Sequence, residues 1–153
     1  KVTGPILFVT AAGGVLGKVI ASSDMVNYIT ENAAVLGSVG IFFPFLISAI
    51  LKTAQGSSTV AITTTAGIMG MFSDSASMMT ALGLNSEMAA LLTVMAIGAG
   101  AMTVSHANDS YFWVVTNFTG MDPQDGYRTQ TMMTLIVGIV SMIAIFLASL
   151  VLL

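Results

Sequence analysis

Long apolar runs separated by short polar islands set the pattern of this chain. Residues 4–20 are apolar but interrupted by Gly13-Gly14 and by Gly17, with Pro5 suited to a first helical turn. Adjacent glycines favour a broken or kinked helix. The segment reads as a re-entrant or broken element exposing backbone near Gly13 and Gly14, or as close helix packing through small residues. Residues 22–31 are polar and predict a short surface helix capped by Ser23 or Asp24. Residues 35–54 then give about 20 largely apolar positions, enough for one crossing of a bilayer core. Pro44 is expected to kink that span, and Lys52 at its end is expected to snorkel to the interface.

The run stops at Gln55-Gly56-Ser57-Ser58-Thr59 without a proper loop, and residues 59–71 are too short for a full crossing. A span, a polar break and a half-span predict a re-entrant or discontinuous segment over 55–71. Gly56, Thr59, Thr63 and Gly67 share one helical side, either lining a path or admitting a neighbouring helix. Residues 73–87 are a polar connection, with a helix start at Asn85-Ser86. Residues 88–104 form a minimal span carrying a small pair, Ala96 and Gly100. That span runs into Ser105-His106-Ala107-Asn108-Asp109-Ser110. If the helix continues, Ser105, Asn108, Asp109 and Phe112 fall on one face, with His106 nearby. The alternative is an interfacial loop with Tyr111 and Trp113 in an aromatic belt. Residues 117–128 are a water-exposed loop, and 130–153 the clearest transmembrane helix.

Composition settles the class. The chain is 56% hydrophobic and 7% charged, against roughly 25% charged in a soluble domain. Its mean hydropathy is +0.94. The fold class is therefore all-α integral membrane, with multi-pass helices and broken or re-entrant segments. In lipid a polar island is costly, so the two islands point to a cavity or solute site. The four basic residues are scattered, which excludes nucleic acid as a partner. One His and no Cys argue against a metal centre, and no cofactor motif is present. The chain begins at Lys1, which suggests a fragment or processed product.

Three stretches carry a resemblance: VTAAGGVLGKVIASS (9–23), LKTAQGSSTVAITTTAGIM (51–69), and SHANDSYFWVV (105–115) with the following TGMDPQDGYRTQT. In this order they resemble the C-terminal portion of the gluconate permease (GntP) family of proton-coupled sugar-acid symporters. The resemblance implies uptake of gluconate or a related small hydroxy carboxylate across the bacterial inner membrane. It also implies that the chain is the C-terminal part of an inverted-repeat transporter whose N-terminal part is missing here. Relatives taking D-serine and other sugar acids leave the ligand open.

On this reading the partners are a small carboxylate, protons, the lipid bilayer and the missing N-terminal part, with a homo-oligomer left open. Gly13, Gly14, Gln55, Gly56, Ser57, Ser58, Thr59, Ser105 and Asn108 are the expected substrate-binding residues. The first-turn N–H groups at 56–59 would face the anion, and the hydroxyls and amides would face its hydroxyls. His106 and Asp109 are the two candidates for proton coupling, with the choice between them open. The rivals are sodium coupling, a non-transporting structural subunit, and an intramembrane hydrolase using a Ser with His106.

Overall fold

A computed structural model describes residues 40–153. The expected broken segment at 4–20, with Gly13 and Gly14, and the polar helix at 22–31 lie outside the described residues. The regular elements described are all helical. They are α1 (Phe42–Gln55), α2 (Ser58–Met69), the single turn α3 (Met78–Ala81), α4 (Glu87–Met102) and α5 (Ser110–Thr119). The single turn α6 (Pro123–Gly126), a π-helical turn (Tyr127–Thr131) and α7 (Met132–Leu152) follow. The last three run on as one 30-residue helix, Pro123–Leu152. Among the described residues it is the one helix long and apolar enough to cross a bilayer.

Side chains at the polar islands start these helices. The Ser57 hydroxyl accepts from the Val60 N–H at 3.3 Å, and the Ser86 hydroxyl from the Ala89 N–H at 3.0 Å. The Asp122 carboxylate accepts from the Gln124 N–H at 3.0 Å, with Pro123 opening the helix. Each satisfies a backbone donor that has no partner inside its own helix. Pro44 does not kink a span as the sequence suggested. Helix α1 begins at Phe42, so Pro44 falls in its first turn, where a missing N–H interrupts no ladder.

Helix α4 is the central element, packed against α1, α2 and α7. The α1–α4 crossing is close because of Gly100. A β-carbon there would lie 2.3 Å from the Phe45 carbonyl oxygen and 2.9 Å from Ser48 Cβ. The same crossing is pinned by Ser48 Oγ, which donates to the Ile97 carbonyl at 2.8 Å. Ala96, one turn before Gly100, is fully buried beside it. Small residues and hydroxyls bring helices together in this way where the hydrophobic effect cannot.

Helix α7 has two apolar faces. Gly138, Met142, Ile145 and Ser149 face inward and are buried. Ile136, Val140, Ile143, Leu147 and Leu150 form an exposed stripe on the other side. A helix apolar all round belongs in lipid or deep in a protein, not at a water interface. Helix α7 is therefore suited to lipid.

Candidate functional site

The site lies where two interruptions of helix meet. The first separates α1 from α2. Helix α1 ends at Gly56, which takes the left-handed conformation (φ +82°) and donates its N–H to the Lys52 carbonyl at 2.8 Å. Gln55 folds over the turn. Its Oε1 accepts from the Ser57 N–H at 2.9 Å and its Nε2 donates to the Ser57 carbonyl at 2.6 Å. The N–H groups of Gly56 and Ser57, expected to be free for an anion, are therefore both engaged. The Gln55 amide is likewise engaged within its own turn. The N–H groups of Ser58 and Thr59 have no partner among the described residues.

The second interruption separates α4 from α5. The helix does not continue through Ser105 and Asp109. It stops at Met102, and residues 103–109 are irregular until Asp109 caps α5. The shared helical face expected for Ser105, Asn108, Asp109 and Phe112 is thus absent. Val104 sits at φ +56°, a left-handed conformation that is costly for a β-branched side chain. The bend is held from α7 and the π-helical turn before it. Thr134 Oγ1 accepts from the Ser105 N–H at 2.9 Å, and Thr131 Oγ1 donates to the Ser105 carbonyl at 2.6 Å. Trp113 Nε1 closes the other end, donating to the Ala107 carbonyl at 2.7 Å.

The two interruptions touch. Asn108 Nδ2 donates to the Thr53 carbonyl at 2.6 Å, and the Asn108 backbone lies directly against Gly56. Beneath this contact is the one ion pair among the described residues. Lys52 Nζ lies 2.5 Å from Asp109 Oδ2, with the two side chains only 2% and 5% exposed. The ammonium also donates to the Gly56 carbonyl at 2.8 Å. On the acidic side, Ser105 Oγ donates to Asp109 Oδ2 at 2.6 Å and the Tyr111 N–H to Oδ1 at 2.9 Å. One buried knot therefore joins the end of α1, the bend after α4 and the start of α5.

Lys52 does not snorkel. Its stem runs along α1 toward the helix C-terminus, where a cation meets the free carbonyls and the negative end of the dipole. A buried carboxylate opposite then outweighs the pull of the interface. His106 is half-buried, and its imidazole makes no hydrogen bond among the described residues. Lys52, Thr131 and Thr134 are the site residues missed by sequence reasoning. Charge scarcity was the available signal for Lys52, because a cation and an anion both next to apolar spans need one another.

The fold and its polar knot fit a membrane carrier, and comparison with known proteins names the family. The GntP family permease model matches residues 1–151. The chain belongs to the GntP permease family. This GntP chain is 36% identical over 133 residues to the inner membrane permease YgbN of Escherichia coli (strain K12), covering 87% of the chain and 27% of that protein. It is 33% identical to a gluconate permease of Pseudomonas aeruginosa, covering 98% of the chain and 31% of that permease. It is 35% identical to the low-affinity gluconate transporter of Escherichia coli (strain K12), covering 95% of the chain and 32% of that transporter. The chain thus spans less than a third of the length of these relatives. No solved structure matches it. A permease family has a small-molecule substrate and a membrane setting, and its members are carriers rather than enzymes.

Proposed function

We propose that this chain carries part of the solute and coupling site of a secondary transporter. The transporter imports gluconate or a related small hydroxy carboxylate with protons across the bacterial inner membrane. The observation that carries the proposal is the buried Lys52–Asp109 pair at the junction of two helix interruptions. A titratable pair at membrane depth is expensive, so its presence in an oily chain points to function rather than to packing. The relatives named gluconate permease and gluconate transporter favour a sugar acid as the solute.

Ser58 and Thr59 would offer N–H groups and hydroxyls at the start of α2, where the helix dipole favours an anion. Ser57, Gln55, Gly56, Ser105 and Asn108 would shape the surrounding wall, with Gly13 and Gly14 contributing from the N-terminal segment. A second, inverted repeat from the rest of the transporter would close the site, the arrangement common among carriers with broken helices. Between His106 and Asp109, the carboxylate is the better candidate for the coupling proton, because loss of Lys52 would leave it buried without a counter-ion, whereas half-buried His106 has no ionic partner to lose among the described residues.

The test is uptake of labelled gluconate by the intact protein in vesicles, with an imposed pH gradient, in the presence and absence of sodium. Unlabelled sugar acids and D-serine serve as competitors. Accumulation driven by the pH gradient without sodium is the expected result. Accumulation that needs sodium at fixed pH overturns proton coupling, and no accumulation of any sugar acid overturns the substrate class.

A further inference from the structure

We propose that Lys52 is a single cation contested by Asp109 and the substrate carboxylate, so that anion and proton load by exchange at one ammonium. The inference rests on the carboxylate-symport reading above and adds to it the residue that links the two fluxes.

The Lys52 ammonium is buried and holds one carbonyl, that of Gly56, and one carboxylate, that of Asp109. A buried ammonium needs an anion, since the charge alone is far too costly at low dielectric. It can give up Asp109 only to another anion of like size. A sugar acid presents such a group, a carboxylate of the same charge and geometry. When the substrate takes Lys52, Asp109 keeps only the Ser105 hydroxyl and the Tyr111 N–H. An unpaired carboxylate so buried binds a proton. The proton comes from water on the side to which the site is open and forms an O–H bond on the Asp109 carboxyl. Ser105 Oγ can then turn from donor to acceptor, because a hydroxyl serves as either. No other bond forms or breaks. The loaded site carries one extra anion and one extra proton, so its net charge is unchanged.

The surroundings allow this exchange. Among the described residues, the titratable side chain paired with the Asp109 carboxyl is Lys52 from α1, and the titratable residues next to it along the chain are His106 in the same bend and Tyr111 at the start of α5. Of these only the Lys52 side chain bonds the carboxylate. Lys52 is anchored on the α1 side of the junction and Asp109 on the α5 side. Exchange therefore also releases the ionic tie between the two interruptions and leaves the Asn108–Thr53 hydrogen bond in place.

The direction of the pH effect follows. Low pH protonates Asp109, frees Lys52 and tightens substrate binding, whereas high pH restores the competitor and weakens it. By linkage, substrate binding takes up a proton.

The experiment uses the purified intact protein with gluconate as probe, in weakly buffered solution containing a pH indicator. The wild type is expected to take up close to one proton per gluconate bound. Its affinity should fall by about tenfold per pH unit where Asp109 is ionised. D109N is expected to take up none and to bind gluconate with a flat pH profile. K52M is expected to lose binding. Because single variants leave a buried polar or charged partner behind, the double variant K52M/D109L is measured too. Replacing a whole buried pair by apolar residues is commonly neutral for folding. The double variant should be folded by size exclusion and still fail to bind or transport. If it transports normally, the pair is structural and the inference is overturned. It is equally overturned if D109N keeps proton uptake on binding. If the wild type binds no sugar acid at all, the failure lies in the substrate class instead.

Discussion

The backbone carbonyl oxygen of Asn108 lies 2.1 Å from the point that a β-carbon on Gly56 would occupy. Two stretches of chain, each interrupting a helix, are in contact at that point. Gly56 is required twice over, once for its φ of +82° and once for the missing side chain. Gly56→Ala should therefore push the two interruptions apart. The left-handed conformation alone costs about 1–2 kcal/mol for a residue with a β-carbon. The backbone clash adds to that, because a carbonyl cannot rotate away as a side-chain tip can. The expected outcome is loss of the proposed gluconate uptake with a clear fall in the thermal unfolding temperature in detergent. Wild-type stability for this variant would show that the junction does not depend on the contact.

Gly98 and Gly100 give a matched pair on α4. A β-carbon at Gly98 meets nothing within 4 Å among the described residues, whereas one at Gly100 meets the Phe45 carbonyl at 2.3 Å. Gly98→Ala should be neutral or stabilising by about 0.5–1 kcal/mol, from helix propensity. Gly100→Ala should be destabilising, since it wedges α1 from α4 and loosens the Ser48 bond to Ile97. Thermal unfolding of the two variants side by side measures the difference, and equal effects would place the close crossing elsewhere.

The bend after α4 depends on α7 through Thr134, whose hydroxyl accepts from the Ser105 N–H. Thr134→Val keeps the shape and leaves that partly buried donor without its partner. A loss of about 1–3 kcal/mol is expected. Ser105→Ala removes the donor to Asp109 Oδ2, a hydrogen bond to a charged group worth about 1.5–3 kcal/mol. Both changes act on one bend, so their effects should be non-additive. A double-mutant cycle reads this directly, and strict additivity would mean that the bend is not held as a unit.

Thr65 and Thr93 provide the opposite case. Their hydroxyls are buried with no hydrogen-bond partner among the described residues. Replacing an unpaired buried hydroxyl by a methyl removes a desolvation penalty. Thr93→Val should hold or raise the unfolding temperature and leave uptake intact. A marked loss of uptake with normal stability would instead place Thr93 on the solute path.

Some of this structure was legible along the chain. The interruption at Gln55-Gly56-Ser57 announced itself, because an apolar run that gives way to polar residues without a loop is written in residue types. The start of α4 at Ser86 was legible as well. The apolar character of α7 followed from its composition alone. Residues 103–109 were not legible in this way. The polar string there suits a helix face and a loop equally, and only the bonds from Thr131 and Thr134 select the bend.

By itself the sequence determined that this is a helical membrane chain with two polar interruptions, because hydropathy, glycine and capping residues act locally. It also carried the family, through motifs spread along its length. Only the tertiary structure decided that the interruptions touch and that Lys52 turns inward to Asp109. The physical reason is that a charge next to an apolar span has two outlets, the interface or a counter-ion. Residue order does not say which is nearer, whereas packing α1 against α4 and α4 against α7 places the carboxylate within reach of the ammonium.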